Sequence, residues 1–208
     1  MGELSISDSH NSCILTTQQV IDGFGWQGIT VEALNANDRK HLETGHHTGE
    51  LDWAWAMERY AGDADDGILD ISLKVVDSEY PDEPHAVILC CYDERRSGFA
   101  ICMLENFILD QITPLTGNVL LIALIYATIF CEIYEIDEII IEDPVERAIP
   151  RYRTYGFAHD YTGFNRMSAT VADIKSCIRL KVQGITLDKE DDTLPGESPV
   201  LLRVIDQD

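Results

Sequence analysis

Thirteen consecutive residues from Val119 to Cys131, VLLIALIYATIFC, form the longest apolar stretch of the chain. A membrane-spanning helix needs about 20 such residues, so this run falls short and predicts a helix buried inside a folded domain. Thr116-Gly117-Asn118 opens it and it ends near Tyr134. DEIIIE follows (Asp137 to Glu142), a fully apolar strand of the type covered by helices on both faces. Helix and strand together predict an α/β domain.

The 208-residue chain as a whole supports that expectation, since an apolar share of 45% is ordinary for a globular protein. Its charge is less ordinary: 37 acidic residues face 15 basic ones, a net −22. Such a balance opposes binding to a bare phosphate backbone, so nucleic acid is not expected as a partner, whereas cationic molecules or basic protein segments are. Solubility alone is the alternative reading of the same charge. The six cysteines show no C-x-x-C pair and no zinc-type histidine spacing, and read as small core residues in a reducing compartment. MGELSISDSHNS has neither a basic segment nor an apolar core of a secretory signal, and Ile6 replaces the Ser or Thr of a myristoylation site. A cytoplasmic protein without a membrane association is expected, and a homodimer is compatible with all of this.

Residues 1–27 read as an N-terminal arm or short helix, with 1–13 loose and ILTTQQVIDGF helical, ahead of a single domain over 28–208. GITVEAL is a strand, NANDRKHLETG opens like a helix N-terminus, and the segment from Gly49 to Tyr60 forms a short helix carrying two tryptophans. ILDISLKVV is read as one strand, and HAVILCCYD and GFAICMLENFIL form a hairpin around ERRS. After DEIIIE, Pro144 is placed to begin a helix over VERAIPRYR, and Gly156 to close it with positive φ. Pro150 conflicts with an unbroken helix, so that helix is kinked, short, or begins later. CIRLKV and VLLRVID read as closing strands around an acidic loop.

Ala148, Tyr152, Gly156 and Phe157 fit the pattern A-x-x-x-Y-x-x-x-G-F, and with the element order they give the chain a resemblance to the GCN5-related N-acetyltransferases (GNAT). The resemblance covers roughly 28–205 and is most specific over 99–157. It implies an α/β (α+β) fold, a mixed and mainly antiparallel central sheet with helices on both faces. It also implies acetyl-CoA as co-substrate and transfer of an acetyl group to a primary amine of a cationic small molecule or protein. The chain departs from the family twice. Of the signature Q/R-x-x-G-x-G/A only the last position is met, by Gly117, with Leu115 where a glycine is usual; and Val145 stands where the family often has Asn. Those departures keep open an alternative, a degenerate GNAT-fold protein that serves as an interaction module without catalysis.

The resemblance assigns roles to residues of this chain. Thr116, Gly117 and Asn118 would hold the coenzyme phosphates at a helix N-terminus, where backbone N–H groups and the helix dipole favour anions. Phe107 and Leu109 are carried over as main-chain contacts of a strand that splays from its neighbour over Glu105 to Leu109. An alkyl ammonium has a pKa of about 10.4, so a base is needed. Glu105, which interrupts an apolar strand, is the first choice; a strand-edge carboxylate facing solvent or paired with Arg95 or Arg96 is its structural alternative, and Glu142 or Asp143 the catalytic one. Tyr152 would protonate the departing thiolate, Tyr155 being out of register. Trp53 and Trp55 beside Glu50 and Asp52 are read either as an aromatic, acidic wall for a cationic acceptor or as core. His46-His47 cannot converge on one ion, and no metal is expected.

Overall fold

The protein is described from a computed structural model over residues 5–45, 49–60, 62, 67–78, 84–108, 113–161 and 164–191. Helix α1 (Ile6–Gly23) starts earlier than the sequence suggests. Ser5 caps it by accepting the Asp8 N–H at 3.2 Å, and Ser9, Cys13, Thr17 and Ile21 recur on one buried face. Those residues make the first turns part of the core, so the expectation of a loose stretch to residue 13 does not hold for the described residues 5–13.

Strand β1 (Ile29–Ala33) leads into α2 (Ala36–Glu43), where Asn35 and Asp38 form a reciprocal capping box. In α3 (Trp53–Arg59), Asp52 accepts the Trp55 N–H at 2.9 Å and caps the first turn. ILDISLKVV is two strands, β2 (Ile68–Asp70) and β3 (Leu73–Asp77). Both pair with the single long β4 (Ala86–Asp93), on either side of an irregularity at Leu89/Cys90, and the Ser72 hydroxyl accepts the Cys90 N–H at 3.1 Å at the break. The hairpin partner of β4 is β5 (Gly98–Asn106).

The apolar run lies in α4 (Val119–Ile133), which crosses over to β6 (Glu138–Glu142), and β6 lies parallel to β5. A parallel neighbour requires such a crossover, and a buried helix is the connection that fits. Ile139 and Ile141 of β6 are buried but Ile140 only half so; helices therefore cover one face of this strand fully and not both.

A 3-10 turn (Glu146–Ala148) precedes α5 (Ile149–Arg153). The helix begins after the position read from Pro144, and Pro150 sits in its first turn, where the missing N–H has no helical partner to lose. After β7 (Ala158–His159) and β8 (Arg166–Thr170) comes α6 (Val171–Asp191), which contains CIRLKV. This corrects the expected closing strand: Ile174, Cys177, Ile178 and Val182 share a helical stripe packed on the core, and that period outweighs the local alternation. VLLRVID lies outside the described residues.

The sheet order is β1-β3-β4-β5-β6-β8-β7, with β2 beside β4; among the described strands only β5 and β6 are parallel to each other. On one face α1, α4 and α6 bury Ala86, Ile88, Cys90 and Phe99; on the other, α2 and α3 bury Val87 and Leu89 beneath Leu42 and Trp53. The alternation along β4 thus feeds both cores. At the outer edge of β1, the side-chain amide of Gln18 donates to the Ile29 carbonyl at 2.9 Å and accepts the Val31 N–H at 2.8 Å, where a further strand would bond. Among the described residues no helix is long and apolar enough to cross a membrane.

Because Leu121 in the first turn of α4 is wholly buried, Leu121→Ala is expected to destabilise the fold by about 3 kcal/mol, lowering the thermal midpoint by roughly 10 °C in a calorimetric scan.

Candidate active site

The parallel ladder between β5 and β6 is short: Phe99, Ala100 and Ile101 face Ile139, Ile140 and Ile141, and there the pairing stops. β5 continues against β4 to Asn106. The Phe107 N–H donates to the His85 carbonyl at 2.8 Å, so alternation turns the main chains of Leu104 and Asn106 to the opposite edge, facing the gap. The splay therefore opens at Cys102, before the stretch expected from sequence, and the Phe107 main chain faces away from it. Leu109 lies outside the described residues.

A cavity of about 190 Å³ occupies the opening. Its floor is apolar, from Ile101, Leu104 and Ile141; Glu142, Asp143 and Tyr152 line one part of it, and Asp52, Trp55 and Tyr60 another. Burial, first, raises the Glu142 carboxyl above the ordinary carboxylate range; the Arg166 and Arg59 charges oppose the rise and Asp143 adds to it. Asp143 holds a left-handed backbone with φ 43°, unusual outside glycine. Its N–H donates to the Asn165 carbonyl at 2.9 Å, and its carboxylate accepts the Tyr60 hydroxyl at 3.2 Å and the Asn165 side-chain amide at 3.4 Å. Those contacts hold a conformation that costs of order 1–3 kcal/mol. Burial and then Asp143 push the Tyr60 phenol up to about 12.

Tyr152 is buried, edge-on to Phe157 at 6.5 Å between ring centroids, and its hydroxyl is raised in pKa by burial against the opposing charge of Arg151. Gly156 closes α5 with φ 91°, as the sequence suggests. Tyr155 is away from the cavity: it is core, with the Lys181 ammonium 4.4 Å from its ring centroid. Register thus separates the two tyrosines.

At the start of α4, Gly117 has φ 73°, and a Cβ there would lie 3.4 Å from the Arg151 guanidinium. Leu115, in the usual glycine's place, is fully buried and anchors the turn in the core. The Thr116 hydroxyl accepts the Thr113 N–H at 3.0 Å, and the Asn118 side chain donates to the Pro114 carbonyl at 2.9 Å. Asn118 therefore leaves the first turn of α4 without a side-chain cap. Arg151 escaped the sequence reading because its closeness to Gly117 is a tertiary fact, created when α5 starts at Ile149 and not at Pro144. Asn165 was missed for the same reason: it meets Asp143 only through the folding back of the chain into β8.

Three other candidates lie off the cavity. Glu105 is not among its lining residues; its carboxylate accepts the Glu50 N–H at 2.6 Å, the Leu51 N–H at 3.2 Å and the Trp53 indole N–H at 2.6 Å. A carboxylate with both oxygens so engaged is poorly placed to take a proton from an acceptor. Trp53 is core, 1% exposed and packed against Phe107, so it forms no wall to the cavity. Glu50 is an exposed residue paired with Arg147 at 3.3 Å. Trp55 does line the cavity and is 47% exposed. His46 and His47 lie outside the described residues.

This architecture is the GNAT fold. A structure of AtaTR bound with AcCoA is similar to it with a TM-score of 0.52 at 13% identity, covering 74% of this chain and 98% of that one. The KacTA–DNA complex gives 0.51 at 16%, covering 74% and 99%. AtaT complexed with acetyl-methionyl-tRNAfMet gives 0.50 at 10%, covering 71% and 98%. Two of these three structures hold nucleic acid, so the fold lends no support to the exclusion of nucleic acid drawn from net charge. No protein-family model matches the sequence, and no curated protein matches it.

Since Asp143 is the second cause of the raised Tyr60 pKa after burial, Asp143→Asn is expected to lower that pKa below about 12 without restoring 10. Phenolate absorbance during alkaline titration, with Tyr60→Phe as the subtraction, reads the change.

Proposed function

We propose that the protein is an acetyl-CoA-dependent N-acetyltransferase acting on a primary amine of a cationic small molecule or protein. The observation that carries this reading is the meeting of Glu142 and Tyr152 in one cavity at the opening between β5 and β6. The residues present suit the coenzyme: Gly117 and the uncapped first turn of α4 offer backbone donors to phosphate, and Arg151 brings a cation to the same turn. Arg151 thereby substitutes, from another element, for the Gln or Arg missing from the family's signature. The main-chain groups of Leu104 and Asn106 are available to bond the extended arm and the acyl oxygen.

When bound, the thioester supplies an activated acetyl group. The chain's residues do the rest. Glu142 takes a proton from the incoming ammonium; its raised pKa brings it closer to the working pH than an ordinary carboxylate. Asp143 and Asp52 add negative charge beside the cavity and Trp55 an aromatic face, an environment that favours a cation. Tyr152 Oη carries the proton for a departing thiolate, and its raised pKa keeps that proton in place across the neutral range.

The buried Leu115 and the exposed Val145 favour the second reading, a fold retained for interaction with the coenzyme site altered. Calorimetric titration with acetyl-CoA decides between the two. Micromolar binding, weakened about tenfold by Arg151→Ala, is expected of the enzyme; no heat at millimolar coenzyme would assign the chain to the second reading. Given turnover, Tyr152→Phe is expected to lower kcat with coenzyme affinity unchanged. Deprotonated Glu142 is the working form, so kcat/KM should rise with pH through a limb above the ordinary carboxylate range, and Glu142→Gln should abolish that limb.

A further inference from the structure

We infer that Glu105 is a positioning residue that sets the acceptor side of the cleft, resting on the acetyltransferase reading above. Its carboxylate bridges β5 to the segment 49–53 through three N–H donors, the main chains of Glu50 and Leu51 and the indole of Trp53. The segment is seated on it without slack: a Cβ on Gly49 would lie 2.4 Å from Glu105 Oε2 and 2.7 Å from Phe107 Cε1. Asp52, Trp55 and Tyr60, which line the cavity, lie immediately downstream of this anchor.

Trp53, Ala56 and Met57 also pack in the core with Leu42, and two polar contacts join the segment to the residues after β6. Glu50 meets Arg147 at 3.3 Å with both side chains well exposed, and Tyr60 meets Asp143 at 3.2 Å. Exposed contacts of this kind contribute little, whereas the bonds from Leu51 and Trp53 to Glu105 are part-buried, where a charged acceptor counts for more. Core packing holds α3 to the sheet, and Glu105 sets the backbone of Glu50 and Leu51 and the Trp53 indole against β5. Glutamine in its place keeps one accepting oxygen and turns an NH₂ group toward donors, so the anchor loses at least one bond.

Two variants separate positioning from proton transfer. Glu105→Gln alters the charge, and Gly49→Ala displaces the segment while leaving the carboxylate intact. With a panel of a polyamine, an aminoglycoside and a lysine-containing peptide, both variants are expected to raise KM for the amine turned over fastest by at least about tenfold. Turnover should stay within about threefold, with acetyl-CoA affinity and the acidic limb of the pH profile unchanged. A loss of kcat at unchanged KM, or a moved acidic limb, confined to Glu105→Gln would overturn the inference in favour of Glu105 as the base. Hydrogen exchange at the Trp53 indole N–H, followed by NMR, tests the anchor whether or not the protein turns over. Protection in the wild type that is lost in Glu105→Gln supports it, and equal exchange in both overturns it. Failure of the wild type to bind acetyl-CoA would refute the acetyltransferase reading instead, with the exchange result standing separately.

Discussion

Three residue pairs of parallel ladder hold β5 to β6, and the cleft depends on there being no more. α4 brings the strands together at Phe99 to Ile101, since a parallel neighbour can be reached only through a crossover and this one is anchored in the core along most of its length. Beyond Ile101 each strand answers to a different partner. β5 stays with β4 to Asn106, while β6 follows β8 to Glu142. Their divergence leaves main-chain groups beside a cavity without a strand partner among the described residues, a situation usually avoided in a sheet and useful where an extended ligand is to be held.

The charges at this opening are more mixed than the net charge suggests. Glu142, Asp143 and Asp52 border the cavity, yet Arg59 and Arg166 act on Glu142 closely enough to oppose its rise in pKa. Arg59 also lies over the rings of Trp55 and Tyr60, at 6.0 and 5.8 Å. Acidic groups are thus poised by basic ones, and burial remains the largest single influence on Glu142. A bulk figure of −22 describes the solvent-facing surface better than it describes this cavity.

What could be read from sequence was local or periodic. The buried nature of 119–131, the cap at Asn35, the β4–β5 hairpin and the closing glycine at 156 each follow from short-range patterns. Tyr152 was also legible, because its spacing to Gly156 and Phe157 lies within one helix and its exit. Glu105 was legible only in part: a carboxylate in an apolar strand signals that something binds it, but not whether the partner is a ligand or the chain itself. Its three donors come from residues more than fifty positions away. Arg151 beside Gly117 and Asn165 beside Asp143 are likewise products of tertiary packing, which neither propensity nor spacing encodes.

Gln18 completes the account of the sheet. By bonding Ile29 and Val31 through one primary amide, a helix side chain imitates a single peptide unit of a neighbouring strand. The edge of β1 is thereby occupied at the donor and acceptor a stranger would seek first, and copies of the chain are discouraged from stacking sheet to sheet there. Any association between copies has better prospects through side chains than by prolonging the ladder at β1.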